Sequence, residues 1–318
     1  MTADLLFRAF LKVYLFKEML FSDRKAFLNY VLSNSLASQQ FLALPSFAKM
    51  TVSQNEDFIY LLINSNHKRG LNMVWETFQG PLFFILFILS GITAILGVLL
   101  VNHFFAEKNR HLNNTVLFIF TFLAFGYSCF ALAEMSWFLI FDVFEQLPSV
   151  SMPDFYWVIG SICLLIAFAT FSFHMHKQHG SWSHILAQAL FAVIVFGIVL
   201  IFLVNMNIGN AGESTGEIFL GYFYPIASSL ILIFSGSVYF FLEKLDQYKE
   251  TFFLFLIANG TFLLSDLLYV YYTANNTYGF LGFLSDSLSI VAYLLCALSF
   301  FFLLQHTRKA SAAENELR

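Results

Sequence analysis

Charge is scarce in this chain. Asp, Glu, Lys and Arg make up 11% of its 318 residues, against about 25% in soluble globular domains. An ordinary soluble enzyme and a disordered chain are both excluded by that figure. Proline is also rare: there are five, and Pro225 alone lies well inside an apolar run. The three cysteines, Cys129, Cys163 and Cys296, are far apart and embedded in apolar runs. They form no CxxC pair and no disulfide framework, and read as small buried hydrophobes. The net charge of −4 leaves no basic stripe for nucleic acid. P-loop, GxSxG and HExxH motifs are absent, so no nucleotide, hydrolase or zincin chemistry is indicated. A retinal Schiff base needs a lysine in a spanning helix, and none of the apolar runs contains one.

What is present is apolar. Hydrophobic residues reach 59%, phenylalanine alone supplies 43 positions, and mean hydropathy is +0.73. Such a composition suits an all-α polytopic membrane protein, in which apolar side chains face lipid. Seven runs free of Lys and Arg are long enough to cross a bilayer, near 82–102, 115–142, 154–173, 185–205, 217–241, 251–273 and 280–304. Short connections between them predict one bundle over 81–305, followed by a short tail, 306–318.

The connections alternate in charge. Lys108, Arg110, Lys177, Lys244 and Lys249 lie on one side, with Arg308, Lys309 and Arg318 in the tail, while the connections near 143–153, 206–216 and 274–279 have neither Lys nor Arg. The positive-inside rule then predicts a multi-pass protein of the cell membrane with a cytoplasmic C-terminus. Residues 1–80 form a leader that this parity places outside or at the interface. No cleavable signal peptide is read there, because Arg8, Lys12 and Lys17 interrupt the apolar stretch. Asp4 to Phe21 reads as an amphipathic helix, with Asp4, Arg8 and Lys12 on one face.

The chain repeats itself. Phe104-Phe105-Ala106-Glu107-Lys108 is echoed by Phe240-Phe241-Leu242-Glu243-Lys244, 136 positions later. Glu134 and Trp137 match Asp266 and Tyr269 at an offset of 132, as do Asp154 with Asp286 and His174 with His306. The reading is a 3+1+3 parallel repeat, 82–173 and 217–304, with 185–205 as the linker helix.

The repeat puts four carboxylates, Glu134, Asp154, Asp266 and Asp286, in the half of the bundle predicted to face outward. Intramembrane acids are functional candidates, since a charge is costly there. With Trp137, Tyr156, Tyr269 and Tyr293 as walls, they predict a pocket for a small ligand or cation, in which the carboxylates meet a cation, a proton or an amine. The competing reading is interhelical hydrogen bonding, with Ser136, Ser265, Ser285 and Ser287 nearby as donors. Asn259 and Gln188 read as amides bonding between helices. His174, His176 and His179 form a weak metal pattern without Cys or carboxylate support, so no metal and no cofactor is expected. Asn275-Asn276-Thr277 and Asn113-Asn114-Thr115 are glycosylation sequons of low specificity.

Two stretches carry a family resemblance. One runs from Ala133-Glu134-Met135-Ser136-Trp137 through Pro148, Ser151, Asp154, Phe155 and Tyr156. The other runs from Asp266-Leu267-Leu268-Tyr269 through Thr277-Tyr278 and Asp286 to Tyr293-Leu294-Leu295. Over about 134–170 and 262–303, the chain resembles the poorly characterised seven-helix membrane sensor regions found ahead of bacterial and archaeal histidine kinases and diguanylate cyclases. The resemblance implies a sensory role without naming a ligand. No kinase, cyclase or PAS domain follows span seven in this sequence, so the output is expected from a separate protein partner.

Three functions fit to different degrees. A non-enzymatic sensory or scaffolding module accounts for the motifs and for the lack of catalytic signatures. A small solute or cation transporter of SWEET-like 3+1+3 topology is the alternative. An intramembrane metalloenzyme ranks last, because the histidines and the acids fall at opposite ends of the spans.

Overall fold

In a computed structural model of the protein, the described backbone covers residues 52–107, 114–144, 150–179, 182–206, 214–242, 246–275 and 279–316, with side chains over most of it from residue 79 onward. The chain divides into two units, Met1–Arg69 and Gly70–Arg318. The first is described only as helical backbone from Val52. The amphipathic helix expected over Asp4 to Phe21 lies outside the described residues.

The described residues form seven helices: α1 Val52–Glu107, α2 Asn114–Phe138, α3 Met152–His179, α4 Trp182–Asn205, α5 Thr215–Phe241, α6 Asp246–Ala274 and α7 Gly279–Glu316. A π-helical turn, Leu139–Val143, extends α2. Each helix holds a segment long and apolar enough to cross a membrane: Gln79–Ala106, Asn114–Phe141, Met152–Gln178, Trp182–Asn205, Thr215–Phe241, Tyr248–Ala274 and Gly279–Ala310. Among the described residues there is no strand. The protein is an all-α, multi-pass membrane protein. Helices are the form these sequences must take, because hydrocarbon offers no hydrogen-bond partner to an unpaired peptide group.

Local signals fix two helix starts on the side of the Lys- and Arg-free connections. Ser214 caps α5 with a reciprocal capping box: its hydroxyl accepts the Glu217 N–H, and the Glu217 carboxylate accepts the Ser214 N–H at 2.6 Å. At α3, Asp154 Oδ2 accepts the N–H of Ser151 at 2.8 Å.

Packing follows small residues. Gly126 on α2 and Gly160 on α3 face each other so closely that a Cβ built on Gly160 falls 2.9 Å from the Gly126 carbonyl oxygen. Ser265 and Ser285 join α6 to α7 reciprocally, each hydroxyl donating to the other's carbonyl, at 2.8 and 3.0 Å. Ser172 and Ser237 bond across α3 and α5 at 2.6 Å. Helix α4 stands apart: only 6% of its span is buried, against 39–56% for the other six. It leans on α5, where Phe191 covers Gly236.

The bundle is filled unevenly along its length. Toward the ends bearing Lys177, Lys249, Arg308 and Lys309 it is solid with aromatic rings. Tyr127, Phe168, Phe255 and Phe300 are almost fully buried, and they meet edge to face at centroid separations of 5.1–6.0 Å. Toward the Lys- and Arg-free connections the bundle opens into a cavity.

Candidate functional site

The cavity has a volume of about 140 Å³ and is walled by every helix except α4. Each helix contributes a stripe at helical spacing. Helix α2 supplies Phe130, Glu134 and Trp137; α3 supplies Trp157, Ser161 and Leu164; and α6 supplies Asn259, Phe262, Asp266 and Tyr269. Helix α7 adds Ser285, Asp286, Ser289 and Tyr293, α5 adds Tyr224 and Ser228, and α1 adds Phe83 and Leu86. No Lys, Arg or His is among the lining residues.

One wall is aromatic. Phe130, Phe262 and Tyr293 meet edge to face, with centroids 5.0–6.5 Å apart. Above them, the acids bridge helices. Glu134 on α2 accepts the Tyr293 hydroxyl of α7 at 2.9 Å, and both residues are buried. Asp266 on α6 accepts the Ser228 hydroxyl of α5. Of the predicted serine donors Ser136, Ser265, Ser285 and Ser287, the last three donate to other groups. Ser265 and Ser285 bond each other, and Ser287 donates to the Phe283 carbonyl at 2.7 Å. The donor to Asp266 comes from α5 because lateral packing, not sequence proximity, decides which hydroxyl faces a carboxylate.

Six of the eight expected site residues line the cavity: Glu134, Trp137, Asp266, Tyr269, Asp286 and Tyr293. Asp154 and Tyr156 do not. Asp154 lies behind the wall, where Oδ1 accepts the Tyr224 hydroxyl at 3.0 Å and Oδ2 serves the α3 start. It is a positioning residue for Tyr224. Tyr156 packs against Phe155, and its neighbour Trp157 takes the place in the wall. One residue is about 100° around a helix, enough to turn a side chain out of the stripe shared by Trp157, Ser161 and Leu164.

A scan against protein-family models finds no match, and neither curated proteins nor solved structures match the chain.

Asn259 corrects a further expectation. Its side chain is 2% exposed, it lines the cavity, and its Nδ2 has no hydrogen-bond partner, in place of the interhelical bond expected of it. The signal was in the sequence: Asn259 precedes Asp266 by two turns and shares its face. On the histidines, His174 Nε2 lies 3.1 Å from Gln178 Nε2, and His176 stacks edge-on to Phe241. The His179 side chain is outside the described residues. No group of three His, Cys, Asp or Glu converges on an ion position among the described residues.

The lining also has an internal order. Five of its pairs are separated by the repeat offset of 132 positions: Phe130 with Phe262, Glu134 with Asp266, Trp137 with Tyr269, Trp157 with Ser289, and Ser161 with Tyr293. The pair Asp154 and Asp286 departs from this order, since only Asp286 reaches the cavity.

Proposed function

We propose that this protein is a non-enzymatic membrane sensor that binds a small ligand in the acid and aromatic cavity and signals through a separate protein partner. The observation that carries the reading is the way the acids are used. The carboxyls that line the cavity are also cross-links, Glu134 to α7 and Asp266 to α5. A ligand bonding to either acid competes with Tyr293 or Ser228, and so biases how these helices pack. Differential contact of this kind is what converts occupancy into a conformational shift.

Helix α7 is the natural output element. It carries Asp286, Ser289 and Tyr293 at the cavity and continues as one helix to Glu316. It contains no proline, and its 38 residues give a rod of about 57 Å, longer than the roughly 30 Å hydrocarbon core. A tilt set at Tyr293 reaches Arg308 and Lys309 undamped. The charge pattern supports a cell-membrane protein with that end cytoplasmic.

The pairing of lining residues at one offset supports the 3+1+3 repeat and favours one second reading. Transporters built from parallel repeats hold substrate at the repeat interface, so a small solute or cation carrier is the alternative. The solid aromatic packing beyond Phe130 and Phe262 counts for the sensor, as it closes the cavity on one side.

The test is affinity purification of the full chain from native membranes, with Glu134→Gln and Asp266→Asn compared with wild type at equal accumulation. A sensor retains a stoichiometric protein partner that crosslinks at Lys309, and the two variants change its occupancy. A chain that purifies alone and moves solute across liposomes refutes the sensor and establishes transport.

A further inference from the structure

The cavity is chemically polarised along its axis. On α6, Asn259 and Asp266 are separated by seven residues, or about 10 Å of rise. Between them lie Phe262 and, from the facing helices, Phe130 and Tyr293. The deep end therefore has one amide donor, the middle is bounded by a wall of packed aromatic rings, and the shallow end has Glu134, Asp266 and Asp286.

Each part constrains an occupant. A buried N–H without a partner is disfavoured, and a ligand atom that accepts from Asn259 relieves it. The aromatic wall fits an apolar body. The whole cavity, at about 140 Å³, is close in volume to cavities known to take a single six-membered ring. At the shallow end Glu134 takes the Tyr293 hydroxyl and the Trp157 indole, and Asp266 takes the Ser228 hydroxyl, while a carboxylate has about four acceptor positions. Donors from a cation suit these oxygens, and Trp137, Trp157, Tyr224 and Tyr269 add ring faces that attract positive charge. An anion meets three acids and no basic group.

Resting on the reading of the cavity as a ligand site, we propose that it takes a small amphipathic monocation, an amine whose apolar body carries a hydrogen-bond acceptor at the end remote from its nitrogen. The end of the cavity lined by Glu134, Asp266 and Asp286 takes the ammonium. Asn259 reads the acceptor and is the specificity-determining residue.

The test uses four probes of nearly one shape on the full chain in lipid nanodiscs, with binding followed by calorimetry at a pH where the pyridine ring is neutral. They are 4-(2-aminoethyl)pyridine, 2-phenylethylamine without the acceptor, 4-ethylpyridine without the cation, and 3-(4-pyridyl)propionate with the charge reversed. The aminoethylpyridine is expected to bind about tenfold more tightly than phenylethylamine, the worth of one buried hydrogen bond. Asn259→Leu is expected to erase that tenfold difference while leaving phenylethylamine binding in place. The two probes without an ammonium are expected to bind at least tenfold more weakly than the amine. Equal binding of the two amines, or a difference that survives Asn259→Leu, overturns the role of Asn259. Equal binding of the propionate or ethylpyridine overturns the cationic class while leaving the cavity a ligand site. Binding by none of the four overturns the ligand class. The sensor reading fails separately, on the partner and flux measurements.

Discussion

The Tyr293 hydroxyl on α7 donates to Oε1 of Glu134 on α2 at 2.9 Å. The same tyrosine receives Thr93 of α1 at its carbonyl oxygen, at 3.1 Å. Three helices thus meet at one residue, which also forms part of the aromatic wall of the cavity. Removing the hydroxyl in Tyr293→Phe leaves the Glu134 carboxyl without this donor in a buried site. The expected loss is about 1–2 kcal/mol, seen as a lower melting temperature in nanodiscs. Glu134→Gln keeps an acceptor for Tyr293 and is expected to cost less. A double-mutant cycle of Tyr293→Phe with Glu134→Leu should return a coupling of about 0.6–1.7 kcal/mol, the range for hydrogen bonds inside membranes. A coupling of zero would show that the two side chains stabilise the bundle independently.

The seven spans were legible because hydropathy over some twenty residues is a collective signal that single substitutions do not blur. Glu134, Asp266 and Asp286 were legible because an acid in such a span stands out. Their partners were not. Tyr293 was recognised as a wall residue, but nothing along the chain joins it to Glu134, and Ser228 drew no notice because one serine in an apolar run resembles any other. Trp157 was missed by one position: Asp154 drew attention to Tyr156, when the stripe through Trp157, Ser161 and Leu164 faces inward. Asn259 is legible as a buried amide, but its unpartnered Nδ2 is not, since satisfaction of a buried donor depends on what faces it across the bundle.

Gly160 sets the spacing of α2 and α3. A Cβ there would lie 2.4 Å from Phe130 Cδ1 and 2.9 Å from the Gly126 carbonyl oxygen. The carbonyl is backbone and cannot swing aside, and Phe130 lines the cavity. Gly160→Ala is expected to destabilise the bundle by about 1–3 kcal/mol, as overpacking does, and to shrink the cavity. Gly197→Ala on α4 is the control, since nothing lies within 4 Å of its added methyl. It should be neutral or stabilising by up to about 1 kcal/mol through helix propensity. Similar melting temperatures for the two variants would contradict the close-packing account.

Asp154 separates a positioning role from a ligand role. Its two oxygens serve Ser151 and Tyr224, and Tyr224 in turn meets Trp157 and Tyr269 edge to face at 6.4 and 6.3 Å. Asp154→Ala removes the bonds from the Ser151 N–H and hydroxyl and from Tyr224 and should cost about 1–3 kcal/mol, with a change in the near-ultraviolet circular dichroism of the freed rings. Asp154→Asn keeps one acceptor for Tyr224 and should restore most of both. If Asp154→Asn instead abolishes amine binding at full stability, the carboxylate charge reaches the ligand and the positioning role is wrong.

Among the described residues, Asn259 and Thr251 are buried side chains that each have a polar atom without a partner, and they provide a matched pair. Asn259 lines the cavity, whereas Thr251 lies near the start of α6 and is not among the cavity residues. Both are almost fully buried, at 2% and 0% exposure. Replacing an unsatisfied buried donor by an apolar group of similar shape relieves a desolvation penalty, so Asn259→Leu and Thr251→Val are each expected to raise stability by about 1 kcal/mol. They should differ in binding: Asn259→Leu loses discrimination between the pyridyl and phenyl amines, and Thr251→Val retains it. A gain in stability coupled to a loss of selectivity is the pattern of a residue kept at a cost to the fold because it meets a ligand. If Asn259→Leu lowers the melting temperature instead, its amide is satisfied in the membrane and the deep end of the cavity has no donor to offer.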